Sequence, residues 1–233
     1  KLFKTAKAES KEASLMLSNA DLIFVCVSPN NIEEVFKTIK QSDTKKNLIV
    51  SDVASIKSDV VLLAKKYLKK ISFVGGHPIA GTEKSGFQNS DPNLFKNKIF
   101  IVSGSHGSKK CVGTISSIWR KLGTKVLTLD PKKHDKVFAY LSHLPHALSF
   151  CLSKTALKNF SKNDIVKFGG SSYRDYSRIS SSSNKLWTEI FLSNKGNLTS
   201  SLNDSIKFLT GLRDALSRGS SDEIEKLIKT INR

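Results

Sequence analysis

The residue best suited to proton transfer in this sequence is His77, which lies in the unusual segment 75–86. Four glycines and a proline share that segment with it. This composition predicts a tight loop that holds an imidazole beside a ligand, and histidine titrates near neutral pH, as a general base must. The plainer alternative is a histidine that serves only as a capping or loop residue.

Two further histidines, His143 and His146, are three residues apart, so one helical face presents both. The same spacing suits a metal, but no neighbouring cysteine or acidic cluster completes a tetrahedral ligand set, and no metal is expected. A core or capping role stays open for one of the pair. His106 and His134 lie in polar, loop-like stretches and are predicted at the surface.

Arginine is rare in this lysine-rich sequence, yet Arg174 and Arg178 fall within one short segment. The planar guanidinium group of arginine donates two parallel hydrogen bonds, which suits a substrate carboxylate. For Arg174, an ordinary ion pair with the neighbouring Asp175 is an equal alternative. Trp187 is predicted in the core rather than beneath a ligand.

Buried strands must position these groups. Strands are predicted at 22–27, which is a continuous apolar run, and at 48–50 and 71–74. They alternate with amphipathic helices, and the short connections require parallel pairing with right-handed crossovers. The third strand is predicted to stop at Gly75. Two later strands are predicted at 98–102 and 125–129.

Polar residues follow the ends of the first three predicted strands. In an open parallel sheet, ligands bind outside the carboxyl ends of the strands. The sequence therefore predicts a binding edge that includes Ser28, Pro29, Asp52, Ser55 and His77.

From about Pro131 the pattern is helical only, with apolar residues at helical spacing in the segments 137–148, 202–216 and 224–231. Pro145 is expected to bend the first of these helices. A boundary near Asp130 divides the chain into an α/β domain over residues 1–129 and an all-helical domain over residues 130–233.

The composition indicates a folded protein with a dispersed positive charge. The 233 residues carry a formal charge of +18 and 39% of them are hydrophobic, which is too apolar for a disordered polyelectrolyte. The cations are mostly lysines spread along the chain, a pattern that favours solvated helix faces over nucleic-acid binding. The sequence has neither a long apolar run nor a signal peptide, so no membrane association is expected. Three widely spaced cysteines favour a reducing cytoplasm.

Taken together, these features resemble the prephenate/arogenate dehydrogenase family of tyrosine biosynthesis. The matching stretches, in the family's order and approximate spacing, are 21–29, 52–57, 75–86, 142–146 and 174–187. The resemblance implies a partial Rossmann-type dinucleotide-binding domain, without its first β-α-β unit, followed by a helical dimerisation domain. It also implies oxidative decarboxylation of prephenate to 4-hydroxyphenylpyruvate, or of arogenate to tyrosine, with hydride transfer to NAD or NADP.

The resemblance alone also implies roles for individual residues. His77 is expected to take the proton of the ring hydroxyl, and Ser55 to orient that hydroxyl near the nicotinamide. Arg178 is expected to hold the ring carboxylate, and His146 to shape the side-chain end of the pocket. Further pocket residues are expected to be Ser142, Thr82 and Trp187, and residues bordering the cofactor to be Ser28, Pro29 and Asp52. The helical domain is expected to form a homodimer.

The sequence also departs from the family pattern. The family's opening strand, glycine-rich turn and phosphate-binding helix have no counterpart here, and the first glycine is Gly75. The non-methionine start favours an incomplete chain, and residues 1–233 alone are expected to bind NAD poorly. Two alternatives stay open: another hydroxy-acid dehydrogenase of the same two-domain plan, and a non-catalytic dimerising or basic nucleic-acid-binding fragment.

Overall fold

A five-stranded sheet forms the centre of the first half of the chain. The computed structural model describes residues 11–81 and 87–229. The strands are β1 (Leu22–Val25), β2 (Ile49–Asp52), β3 (Ser72–Ile79), β4 (Ile99–Ser105) and β5 (Lys125–Thr128). They lie in the order β1-β2-β3-β4-β5, and all neighbours are parallel except the antiparallel pair β3 and β4. The predicted α/β class is confirmed.

Helices flank the sheet and make up the second half of the described chain. In order they are α1 (Lys11–Asn19), α2 (Ile32–Gln41), α3 (Ser58–Tyr67), α4 (Lys109–Lys121), α5 (Pro131–Phe138), a π-helical segment (Ala139–His143), α6 (Leu144–Asn159), α7 (Lys162–Phe168), α8 (Ser171–Ser180), α9 (Asn184–Ser193), α10 (Lys195–Arg218) and α11 (Ser221–Lys229). The π segment ends two residues before Pro145, whose missing N–H removes one backbone hydrogen bond from this stretch.

The third strand is longer than the sequence predicts. A stop at Gly75 is wrong, because β3 continues through Gly76 and His77 to Ile79. The continuation pairs antiparallel with β4. A β-carbon on Gly75 would lie 2.2 Å from the carbonyl oxygen of Ser103, so only glycine permits this close approach. The tight loop predicted around His77 is therefore a strand up to Ile79.

Two apolar clusters hold the helices to the sheet. One joins α2 and α3 to the strands, with Phe36 packed edge-on against Phe73 at 5.7 Å between ring centroids. The other centres on Trp119 of α4, which stacks on Phe100 at 4.1 Å. The helical half joins this unit through contacts of α5 with α3 and β4, and through α9, which contacts the residues after β1.

Candidate active site at the carboxyl edge of the sheet

His77 lies buried on β3, two residues before the strand ends. Its Nδ1 is 2.8 Å from Nε2 of His134, and its ring packs edge-on against Phe138 at 4.9 Å. Burial is the largest cause that lowers the pKa of His77 well below its ordinary value near 6.5, and the neighbouring His134 and Lys57 lower it further. The imidazole is therefore neutral at neutral pH, which is the form that accepts a proton.

His134 is fully buried, so the prediction that it lies at the surface is wrong. The side chain of Asp130 accepts hydrogen bonds from two backbone N–H groups of the first turn of α5, and Pro131 opens that turn. The helix begun in this way carries His134 and Asp135 inward. The pair Asp130-Pro131 is a helix-start signal, so the sequence could have placed His134 on a helix rather than in a loop.

The Asp135 carboxylate is anchored at the start of α3. Its Oδ1 accepts a hydrogen bond from the backbone N–H of Lys57 at 2.7 Å, and its Oδ2 accepts one from Ser58 at 2.8 Å. Oδ1 also lies 2.9 Å from Nδ1 of His134. Burial raises the pKa of Asp135, but the hydrogen bonds from His134 and Ser58 outweigh burial and hold that pKa below its ordinary value. Asp135 is therefore ionised at neutral pH.

A buried ion pair fixes the loop between β2 and α3 against β3. Asp52, at the end of β2, pairs with Nζ of Lys57, and neither side chain is exposed. Oδ1 of Asp52 accepts from the N–H of Gly76 at 3.0 Å, and Nζ of Lys57 donates to the carbonyl of Gly76 at 2.6 Å. Ser55 lies half-buried in this loop, which is thus tied to the residue before His77.

A second group of the predicted site residues gathers on the helical half. His146 of α6 stacks on Trp187 of α9, with ring centroids 3.5 Å apart. Its Nδ1 donates to the carbonyl of Ser142 at 2.9 Å. Burial lowers the pKa of His146, the hydrogen bond to Ser142 raises it, and the positive charge of nearby Arg178 lowers it further. Trp187 is half-buried, rather than enclosed in the core as predicted.

Asn194, which follows α9, links the two groups. Its Nδ2 donates to the backbone carbonyl of Asp135 at 2.8 Å and to Nδ1 of His143 at 3.1 Å. Burial is the largest cause that lowers the pKa of His143 to about 4. His143 therefore fills the core role left open for one of the paired histidines. No sequence pattern singles out Asn194, because its partners are more than fifty positions away.

Ser28 and Pro29 follow β1 at the same edge of the sheet as Asp52, since Val25 and Asp52 are paired in the ladder. Both are half-buried, and Pro29 begins a short 3-10 turn. The N–H of Asn30 lies 3.5 Å from a carboxylate oxygen of Glu189 on α9. The helical half therefore contacts this end of the sheet.

Other predicted positions lie elsewhere. Thr82 lies outside the described residues. His106, predicted at the surface, is half-buried, with its ring stacked on Phe73 at 5.7 Å.

Within residues 11–81 and 87–229, no group of three or more metal-ligating side chains could hold a metal ion. No helix in those ranges combines the length and apolar character needed to cross a bilayer.

Comparison with known proteins decides the family. The sequence profile "Prephenate dehydrogenase, nucleotide-binding domain" matches residues 5–128, and the profile "Prephenate dehydrogenase, dimerization domain" matches residues 130–230. This chain belongs to the prephenate dehydrogenase family. The resemblance noted in the sequence is confirmed, as is the order of a Rossmann-like domain and a helical domain.

Relatives and solved structures agree with the prephenate dehydrogenase assignment. The prephenate dehydrogenase of Lactococcus lactis is 33% identical over 178 residues, which cover 75% of this chain and 49% of the relative. The chain thus spans about half the length of that relative. The prephenate dehydrogenase of Aquifex aeolicus, solved with hydroxyphenyl propionate and NAD+, has a TM-score of 0.82 at 30% identity and covers 94% and 77% of the two chains. The arogenate dehydrogenase of Synechocystis has a TM-score of 0.76 at 28% identity, and the match covers 94% of this chain and 79% of the Synechocystis chain.

Proposed function

We propose that the protein to which this chain belongs oxidatively decarboxylates prephenate to 4-hydroxyphenylpyruvate with NAD+ as the hydride acceptor. The observation that carries this proposal is the neutral, buried His77 at the carboxyl edge of the sheet. Hydrogen bonds through His134, Asp135 and Asn194 link it to the helical half, which also carries His146 and the nearby Arg178. The Lactococcus relative and the NAD+ complex from Aquifex support the substrate and the cofactor. Arogenate is the alternative substrate.

His77 is the general base of the proposed reaction. The O–H bond of the ring hydroxyl breaks as its proton passes to Nε2 of His77, and the hydrogen on the same ring carbon leaves with its electron pair. NAD+, when held at the sheet edge bordered by Ser28, Pro29 and Ser55, would supply the acceptor for that hydride. The bond to the ring carboxylate then breaks, CO2 departs, and its bonding pair makes the ring aromatic. The resulting phenolate recovers the proton from His77, so no proton is gained or lost overall.

The cationic and aromatic groups of the helical half bind the dianionic substrate. Arg178 supplies a fixed positive charge for the ring carboxylate, in the two-pronged form that a carboxylate accepts. His146 is kept from protonation by burial and by the charge of Arg178, and it borders the side-chain end with Ser142 and Trp187. Thr82 is proposed as a further neighbour on the basis of the family pattern alone.

The residues at the strand ends fit the nicotinamide end of a dinucleotide. Ser28 and Pro29 follow β1 at the sheet edge where such ligands bind, and Ser55 lies in the next loop. Asp52 supports this edge from within, because its carboxylate is already held by Lys57 and Gly76. Ser28, Pro29 and Ser55 would hold the nicotinamide end of the cofactor, while His77 acts on the substrate.

The proposed partner is a second copy of this chain. The profile of residues 130–230 describes a dimerisation domain, and helices of this half expose large apolar side chains such as Ile206 and Leu209 of α10. Buried against a partner, such side chains stabilise an oligomer.

A turnover assay tests the proposal directly. The protein is offered prephenate, arogenate and a simple 2-hydroxy acid, each with NAD+ and with NADP+, and the appearance of reduced nicotinamide is followed. The expected result is turnover of prephenate with NAD+. Turnover of the simple hydroxy acid but of neither ring substrate would contradict the proposal.

The variant His77→Asn tests the role of the base. We expect kcat for prephenate to fall by roughly 10²–10⁴-fold, the usual contribution of general base catalysis. Binding of prephenate, measured by calorimetry, should change little, because Asn keeps a polar group at this position. His106→Asn is the matched control, since His106 stacks on Phe73 away from the site, and its kcat should be unchanged. Unchanged turnover of His77→Asn would remove His77 from the mechanism.

A further inference from the structure

A chain of hydrogen bonds stands behind His77. Its Nδ1 lies 2.8 Å from Nε2 of His134, and Nδ1 of His134 lies 2.9 Å from Oδ1 of Asp135. All three side chains are buried, His134 completely. The contacts cross from the sheet to α5, so the helical half fixes an imidazole that β3 carries.

Asp135, the last member of this hydrogen-bond series, determines the direction of each hydrogen bond. Asp135 is ionised, and an ionised carboxylate only accepts hydrogen bonds. His134 must therefore donate its Nδ1–H to Asp135, which leaves the lone pair of a neutral His134 on Nε2. That lone pair in turn requires His77 to donate from Nδ1. The remaining nitrogen of a neutral His77, Nε2, then carries the lone pair.

The other tautomer of His77 is disfavoured by the same contacts. A proton on Nε2 would leave a lone pair on Nδ1, facing the lone pair on Nε2 of His134 across 2.8 Å. Two buried acceptors would then face each other without a hydrogen between them. Such unpaired groups cost free energy when water is absent.

We infer that His134 and Asp135 are positioning residues that hold His77 in the tautomer whose Nε2 is free to accept the proton of the substrate hydroxyl. This inference rests on the proposed function, since it deepens the role assigned to His77. Neither residue touches the reacting atoms. Asp135 also holds the end of the loop that carries Ser55, because its carboxylate accepts hydrogen bonds from the backbone N–H groups of Lys57 and Ser58.

Three variants of the full protein test this inference. His134→Phe removes both the donor and the acceptor, whereas His134→Asn can keep them, with its oxygen facing His77 and its NH2 group facing Asp135. His106→Asn serves again as the control, because it removes a histidine that is not part of this hydrogen-bond series. Asp135 is left intact, because its removal would also free the backbone N–H groups at the start of α3. Circular dichroism and thermal melting establish that each variant is folded.

Two readouts are measured on each variant. The first is kcat and KM for prephenate with NAD+. The second is nitrogen NMR of isotopically labelled histidine, which reports the nitrogen of each ring that carries the proton and does not depend on turnover. The signal of His77 is assigned as the one missing from His77→Asn.

In the wild type we expect His77 to be protonated at Nδ1. His134→Phe should move the proton partly or wholly to Nε2 and lower kcat by roughly 10²-fold, with KM within about threefold. His134→Asn should restore the Nδ1 tautomer and recover kcat to within about tenfold of the wild type. The control should match the wild type in both readouts.

Other outcomes would overturn the inference or the function separately. A wild-type His77 protonated at Nε2 overturns the inference, as does a folded His134→Phe with unchanged tautomer and kcat. If His134→Phe does not fold, a His134→Asn variant that loses the Nδ1 tautomer contradicts it, and one that retains it supports it. If the wild type turns over no ring substrate while the tautomer shifts as expected, the proposed function fails and the hydrogen-bond chain stands.

Discussion

At the scale of single residues, the site is a set of histidines kept uncharged mainly by burial. Burial is the largest cause for His77, His134 and His143, and all three have lowered pKa values. Asp135 opposes this effect at His134 by accepting its hydrogen bond. The buried positive charge of Lys57 adds to burial at His77. A neutral His77 follows from its surroundings rather than from its residue type.

The lowered pKa of His77 predicts the pH dependence of activity. Only the neutral imidazole accepts a proton, so kcat/KM falls as pH falls through the pKa of His77, which lies well below 6.5. At about pH 6 an unshifted histidine would be roughly three-quarters protonated and activity would drop about fourfold. We expect instead that kcat/KM for prephenate at about pH 6 stays within roughly twofold of its value at about pH 7.5. A midpoint at or above the ordinary histidine value would contradict this assignment.

At the scale of elements, the strand β3 determines where His77 lies. The strand passes through Gly75 and Gly76 because β4 runs antiparallel beside it at close range. At Gly76, an added β-carbon would lie 2.5 Å from the ring of Phe100 and 2.7 Å from the carbonyl oxygen of Asp52. Both glycines are therefore required by packing against neighbouring strands.

The variant Gly76→Ala tests this requirement. Because the carbonyl of Asp52 belongs to β2, which is paired on both sides and cannot move aside easily, we expect the free energy of unfolding to fall by roughly 3 kcal/mol. Denaturant titration measures the change. The matched control is Gly113→Ala on α4, where nothing lies within 4 Å of the added carbon, and which should raise stability by about 0.5–1 kcal/mol. Equal stability of Gly76→Ala and wild type would show that the strands separate without cost.

The elements show why part of the site was predictable from sequence and part was not. Strand and helix patterns are local, so the binding edge with Ser28, Asp52 and Ser55 followed from apolar periodicity. Glycines usually end strands, and only the later strand β4 keeps β3 extended past Gly75. His134 stands among polar neighbours, and its burial depends on Asp135 bonding to residues about 78 positions earlier. Such long-range pairings leave no periodic signal in the sequence.

At the scale of the whole molecule, charge and exposed apolar surface have different consequences. The net charge of +18 is spread along the chain, and a positive field of this kind attracts a dianionic substrate at low ionic strength. The apolar side chains left exposed on α10 of the helical half are instead suited to burial against a second subunit. On this view dimerisation and catalysis use separate surfaces of the same half.

The double variant Ile206→Glu with Leu209→Glu tests the proposed homodimer. The two positions are three residues apart on α10, so they share one helical face, and their exposed fractions are 58% and 53%. If this face is buried in the dimer, the variant loses apolar contact and must bury two charges. We expect the dissociation constant to rise at least 100-fold, equivalent to about 3 kcal/mol. Sedimentation velocity over a range of concentrations measures it.

Leu62→Glu is the matched control for this test, because Leu62 is 63% exposed but lies on α3 of the sheet-containing half. It introduces one glutamate, half the charge of the double variant, at a similarly exposed leucine, and the dimer should persist. A double variant that stays dimeric would show that α10 lies outside the interface, and a monomeric wild type would contradict the homodimer itself. If α10 holds the subunits together, the double variant is monomeric while Leu62→Glu remains a dimer. At equal protein concentration the two variants should then have similar thermal melting temperatures only if dimerisation adds little stability. A melting temperature of wild type that rises with concentration, while that of the double variant does not, would link folding to association.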